Sequence, residues 1–253
     1  MISIYKEKFE SIPVLILVDS KYEDQPLPVV TYFHGFTSAK EHNLPIAYLL
    51  AEKGFRVVLP DSKLHGEREQ AIEAKKMQMA FWDIILKNIE ELEIIKEELD
   101  QKGLILKNRF AVAGTSMGGI TTASALTVYP WIKAAAILMG SPKLTDFAKA
   151  LIHSFKQHQE LPVSDEEIDS LYKTLEKYDL SRQPQKLNKR PVLFWHGEND
   201  SVVPHDHSYS FYQETADLYQ DKNAYQMMSE PGRDHKVSRA AILKTVDWFN
   251  KYV

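Results

Sequence analysis

Short apolar runs alternate with longer stretches of helical periodicity along this chain. Val14 to Val18 and Val29 to Phe33 come first, and the polar turn between them carries Pro26 and Pro28. That pair predicts an antiparallel hairpin with a loose loop. Residues 43–53 are helical in character and stop at Gly54, just before the predicted strand Phe55 to Leu59. An amphipathic stretch from about Lys76 to Lys102 ends at Gly103, a natural helix stop. The next strand, Phe110 to Ala113, leads through a glycine-rich turn into an apolar helix that reaches Tyr129-Pro130. Strands at 134–139, 191–195 and 224–228, with helices over 205–221 and 237–251, complete the pattern.

Strands that alternate with helices imply a mostly parallel sheet covered on both faces. The charge-free runs at 134–139 and 191–195 agree, because central parallel strands are buried on both sides. The whole chain, 1–253, reads as one α/β domain in which residues 143–189 break the rhythm. This segment predicts two helices, Leu144 to Lys156 and Asp165 to Tyr178, and Ser164 with Glu167 resembles a capping box at the second. An insertion after a strand's carboxyl end overhangs the crevice where such sheets bind ligands, so it reads as a small helical lid. The plainer alternative is a crossover helix with one extra surface helix.

Composition changes the picture little but removes several classes. A net charge of −4 supplies no global attraction to nucleic acid or to an anionic membrane. The absence of cysteine excludes disulfides, thiolate metal sites and a cysteine nucleophile. The apolar run Ile12 to Val18 is only seven residues long and follows Lys6, Glu7, Lys8 and Glu10. It therefore reads as a strand and not as a secretory signal. No run approaches the roughly 20 apolar residues that span a bilayer. A cytoplasmic protein is the expectation.

The chemistry concentrates at Gly114-Thr115-Ser116-Met117-Gly118-Gly119, a Gly-x-Ser-x-Gly pattern between a predicted strand and a predicted helix. In that context the serine stands on a tight turn with its hydroxyl free of the sheet, and the glycines let neighbouring backbone approach. A serine hydroxyl needs a base to take its proton, and the base needs a carboxylate to orient it. Among nine histidines, His235 is best placed, on the loop between the last strand and the last helix. Asp200 follows the strand at 191–195. The order Ser116, Asp200, His235 puts all three at carboxyl ends of strands, where open α/β sheets build their sites. The oxyanion hole needs two backbone amides. Met117 offers one directly after the nucleophile, and Phe36, in His34-Gly35-Phe36 after an earlier strand, offers the other.

These residues resemble the α/β-hydrolase superfamily, near its dienelactone hydrolase and prolyl oligopeptidase branches. The resemblance runs through His34-Gly35-Phe36, Asp61 with His65-Gly66, the Ser116 hexapeptide, His196-Gly197 through Asp200 with Val203-Pro204, and Asp234-His235. It is also similar to a group of bacterial esterases carrying Gly-Thr-Ser-Met-Gly-Gly. What the resemblance implies is an eight-stranded, mostly parallel sheet with its first hairpin antiparallel, a Ser-Asp-His triad, and no metal or organic cofactor. Dienelactone hydrolase itself uses a cysteine, so its lactone chemistry does not carry over. A peptide-gating β-propeller has no room in 253 residues.

The resulting expectation is hydrolysis of small-molecule carboxylic esters through an acyl-enzyme on Ser116. Phe147, Leu151 and Phe155 of the 143–189 segment are expected to shape the acyl pocket together with Phe36. An acylaminoacyl or short-peptide hydrolase is the alternative within the enzymes, and a non-catalytic binder on the same fold is the alternative outside them. His205 and His207 stand two apart and point in different directions on a helix, so no metal site is expected there. His65-Gly66-Glu67-Arg68 reads as a structural turn held by Arg68, and the acidic stretch from Glu90 to Glu98 as a solvated helix face.

Overall fold

A computed structural model describes residues 1–158 and 163–253. Eight strands form one sheet: β1 (Ile2–Phe9), β2 (Ile12–Asp19), β3 (Leu27–Phe33), β4 (Arg56–Pro60), β5 (Ile105–Thr115), β6 (Ala135–Leu138), β7 (Val192–Gly197) and β8 (Tyr225–Glu230). Their spatial order is β1-β2-β4-β3-β5-β6-β7-β8. β1 and β2 pair antiparallel, β2 and β4 likewise, and every later pairing is parallel.

The hairpin is displaced by one strand from the sequence expectation. Val14 to Val18 pairs with Ile2–Phe9 on one side and with β4 on the other, whereas Val29 to Phe33 lies between β4 and β5. Burial explains the arrangement. Val14 to Val18 is buried on both faces and needs a neighbour on each side, a requirement that a hairpin with β3 leaves unmet. β1 has Lys6, Glu7 and Lys8 in its sequence and serves as the polar edge. The Glu10-Ser11 turn that joins β1 to β2 holds Glu10 at φ 51°.

The helices are α1 (Leu44–Glu52), α2 (Ala74–Met79), α3 (Phe81–Gln101), α4 (Met117–Val128), α5 (Leu144–His158), α6 (Asp165–Glu176), α7 (His205–Thr215) and α8 (Arg239–Tyr252). The two-residue period of the strands divides the core. Val14, Ile16, Val58, Val112, Ile137 and Phe194 face α3, α4 and α7. Leu15, Leu17, Val57, Ala113, Leu138 and Trp195 face α1 and α8. The stretch read as one helix to Lys102 is two, α2 and α3, meeting at Ala80. Its acidic face is not wholly solvated either. Glu91 is buried and receives two hydrogen bonds from Arg68, at 2.7 and 2.8 Å. The capping box at Ser164 and Glu167 opens α6 as the spacing predicts. No helix among the described residues is long and apolar enough to cross a membrane.

Candidate active site

Ser116 stands between β5 and α4 with φ 55° and ψ −115°. A non-glycine residue there stores about 1–3 kcal/mol of backbone strain and persists only where its surroundings over-determine it. Here the Ser116 amide donates to the Leu138 carbonyl at 2.9 Å, and its own carbonyl accepts the Ile120 amide at 2.9 Å. The glycines supply the rest. A Cβ on Gly114 would fall 2.3 Å from the Gly118 backbone, and one on Gly118 would fall 2.1 Å from the Phe33 carbonyl oxygen. Only bare backbone lets β3, the turn and α4 stack this closely.

The other two residues of the predicted triad arrive on loops after β7 and β8. Those loops are laced together: the Glu198 amide donates to the Glu230 carbonyl at 3.1 Å and the Asn199 amide to the Arg233 carbonyl at 2.9 Å. Gly197 permits the approach, since a Cβ there would meet the Arg233 carbonyl oxygen at 2.5 Å. As a result the Asp200 Oδ2 lies 2.7 Å from His235 Nδ1, and His235 Nε2 lies 2.9 Å from Ser116 Oγ. The Asp200 side chain is fully buried. Its Oδ1 accepts the amides of Val202 and Val203 at 2.9 and 3.0 Å, and His196 Nε2 stands 3.2 Å from Oδ2. Burial pushes a carboxyl upward, but hydrogen bonds from His196, His235 and the two amides outweigh it and hold Asp200 well below the usual range. An ionised Asp200 can only accept, so His235 carries its proton on Nδ1 and leaves Nε2 free to receive the serine hydroxyl.

Gly35 brings the β3 loop beside Ser116; a Cβ there would lie 3.6 Å from Ser116 Cβ. His34 is buried and accepts the Ser62 amide on Nε2 at 3.0 Å, so its Nδ1–H donates to the Gly35 carbonyl at 2.7 Å. Burial lowers the His34 pKa to about 4, which keeps the ring neutral in that role. Neither the Phe36 nor the Met117 amide has an acceptor among the described residues. A cavity of about 400 Å³ opens at Ser116. Ile46, Met139, Val237 and Ile242 give it an apolar side, and His42 and Lys236 add polar groups.

Phe36, Ser116 and His235 share this cavity. Phe147, Leu151 and Phe155 do not. Phe147 is buried against Trp82 and His207, with ring centroids 5.9 Å away in each case. Leu151 and Phe155 line a separate cavity of about 130 Å³ between α2, α3, α5 and α6. The apolar stripe of α5 is used against neighbouring helices, so the wall of the Ser116 cavity comes from α1 and α8 instead. Ile46, Val237 and Ile242 escaped the sequence reading because nothing distinguishes an aliphatic residue at a cavity wall from one in the core. The other histidines have partners of their own: His205 with Ser229, His207 with Ser141, and His196 with the Val203 carbonyl.

The prolyl oligopeptidase family matches residues 43–253. This chain belongs to that family. It is similar to the "Putative esterase YitV" of Bacillus subtilis, with 47% identity over 255 residues and 100% of both chains covered. The "Esterase YjfP" of Escherichia coli is 30% identical over 253 residues, again across 100% of both chains. Among solved structures, TT1662 from Thermus thermophilus superposes with a TM-score of 0.78 at 20% identity, covering 99% of this chain and 98% of that one. That likeness concerns the α/β-hydrolase fold, a mostly parallel eight-stranded sheet with helices on both sides.

Proposed function

We propose that this protein is a serine carboxylic-ester hydrolase acting on small-molecule esters of short to medium acyl chain, through an acyl-enzyme on Ser116. The observation that carries the reading is the relay from Asp200 through His235 to Ser116, with contacts of 2.7 and 2.9 Å, opening on a cavity with an apolar side. The names of the relatives, "Putative esterase YitV" and "Esterase YjfP", favour esters over amides.

In this mechanism His235 Nε2 takes the Ser116 proton as Oγ attacks the ester carbonyl carbon. The carbonyl oxygen becomes an oxyanion and is received by the Phe36 and Met117 amides, whose free N–H groups suit developing charge. Asp200 holds the Nδ1–H tautomer of His235 and stabilises the imidazolium, staying ionised throughout. His235 then protonates the departing alkoxide oxygen, and the acyl group remains on Ser116. Water, deprotonated by His235, attacks the acyl-enzyme; the acid leaves and Ser116 regains its proton. We extend the same proposal to a cytoplasmic place of action.

A fluorophosphonate reports on the assignment directly. Intact protein should gain one phosphonyl adduct, mapped by peptide mass to Ser116. Ser116→Ala should stay folded, take up no label, and lose on the order of 10⁴-fold in the rate of p-nitrophenyl ester hydrolysis. Label on another residue, or wild-type turnover in Ser116→Ala, refutes the reading.

A further inference from the structure

The loop that offers the Phe36 amide is held in an unfavourable conformation, and its restraint comes from a histidine outside the triad. Residues 35–38 form a tight turn in which the Ser38 amide donates to the Gly35 carbonyl at 3.2 Å. Thr37, the third residue of the turn, has φ 60°. A β-branched residue is a genuine outlier at positive φ, and a turn of this kind ordinarily places glycine or asparagine there. Turning the Phe36–Thr37 peptide over would relieve Thr37 by reversing the direction of its N–H. That N–H donates to His65 Nε2 at 2.9 Å, and the reversed peptide would forfeit the bond.

We infer that His65 is a positioning residue for the Ser116 reaction: by holding the Thr37 amide it keeps the 35–38 turn in the form that presents the Phe36 N–H to the oxyanion. The inference rests on the ester-hydrolase reading above. The two edges of the Gly35–Phe36 peptide make the link. Its carbonyl edge is occupied by the Ser38 amide and by His34 Nδ1–H. In a planar trans peptide the N–H of Phe36 points the opposite way. His65 itself lies outside the set of residues lining the Ser116 cavity, so it acts through the turn and not on substrate.

His65 is built for this task. Its Nδ1–H donates to the Lys63 carbonyl at 2.9 Å, which fixes Nε2 as the acceptor. The ring is buried, packs edge-on to Phe36 at 5.4 Å and lies 5.1 Å from the His34 ring. Burial also lowers its pKa, so it stays in the neutral form an acceptor requires. The loop that carries it does not drift. The Asp61 carboxylate, fully buried, accepts the Lys40 amide at 3.1 Å, the Lys40 ammonium at 2.5 Å and the Glu67 amide at 2.9 Å. Arg68 spans from the Asp61 carbonyl to Glu91. Residues 61–68 are thereby a rigid mount, and His65 is the point at which it grips the oxyanion turn.

The test exploits the two ring nitrogens. Glutamine places an acceptor oxygen near the position of Nε2; asparagine reproduces the Nδ1 donor but leaves the Thr37 amide without an acceptor; leucine supplies neither. With a neutral p-nitrophenyl ester, His65→Leu and His65→Asn should lose on the order of 10²-fold in kcat, comparable with losing one oxyanion donor, while KM stays within about twofold. His65→Gln should recover to within about fivefold of the parent. Affinity for a trifluoromethyl ketone, which forms the tetrahedral oxyanion, should fall in step with kcat. If His65→Leu does not fold, the glutamine–asparagine pair decides alone. Equal activity in those two variants, a loss confined to KM, or full kcat in His65→Asn overturns the inference. A parent protein that neither hydrolyses esters nor labels on Ser116 overturns the ester-hydrolase reading and this inference with it. Esterase activity without the glutamine–asparagine difference removes this inference alone.

Discussion

At the carboxyl edge of the sheet, Ser116 sits in a strained turn whose neighbours are backbone atoms, buried carboxylates and neutral histidines, each with a defined hydrogen-bond partner. Beside it, α5 and α6 follow β6 and pack against α3 and each other through an apolar cluster that includes Trp82, Phe147, Leu151 and Leu171. The first region encloses about 400 Å³ beside the Ser116 hydroxyl, and the second about 130 Å³ that Ser116 does not line. Polar groups need particular distances and angles, so the first arrangement tolerates few alternatives. Aliphatic packing is non-directional, so the second tolerates many. Chemistry should therefore be concentrated in the first region and nearly absent from the second.

Variants of both regions can break that contrast. The largest effect after loss of the nucleophile itself is expected at the acid. Asp200→Asn should lower kcat by about 10³- to 10⁴-fold with the fold intact, since the wrong tautomer of His235 then faces Ser116. Glu198→Gln, exposed on the same loop, should change it by less than about twofold; the reverse outcome would move the acid to Glu198.

An acid titration of stability comes next. His34 has a native pKa of about 4 against a free value of 6.5. Between those values the unfolded chain binds a proton that the native protein refuses, so stability falls as pH falls. Urea unfolding should show a loss of about 2 kcal/mol from this group between about pH 7 and about pH 5. His34→Asn should remove that portion of the slope. An unaltered slope in His34→Asn would mean that the buried ring takes up its proton over the same pH range as in the unfolded chain.

The smallest effects bear on pocket shape. Ile46→Trp should fill the Ser116 cavity and shift kcat/KM by about tenfold against butyrate relative to acetate esters, within the range that methylene-scale discrimination allows. Leu151→Trp, in the helical cavity, should alter that ratio by less than about twofold. A larger change at Leu151 than at Ile46 would transfer the acyl pocket to the inserted helices.

Much of the sheet and the grouping of Ser116, Asp200 and His235 were legible in the sequence, and the reason is physical. A strand-to-helix turn under a nucleophile excludes any Cβ at positions 114 and 118, so the glycines must appear in the sequence. Loops that bring a candidate base and acid to a serine must follow particular strands, so Asp200 and His235 are recognisable by order. What was not legible depends on contacts between segments distant in the chain. The partners of β2 cannot be read from its own apolar run. Glu91 looks like its solvated neighbours until Arg68 reaches it across 23 residues.

The amino-acid sequence by itself determined the α/β-hydrolase architecture, the elbow at Ser116 and the order of the residues that serve it. These follow from local rules, namely hydrophobic period, glycine punctuation and the position of polar residues after strands. Only the tertiary structure decided which helices wall the cavity at Ser116, and that two buried histidines accept backbone amides beside it, His65 from Thr37 within the 35–38 turn and His34 from Ser62. Those features depend on where side chains from separate loops meet. A histidine becomes an acceptor, a ligand or a base through the atom that lies about 3 Å from each ring nitrogen, and no pattern within one segment specifies that atom.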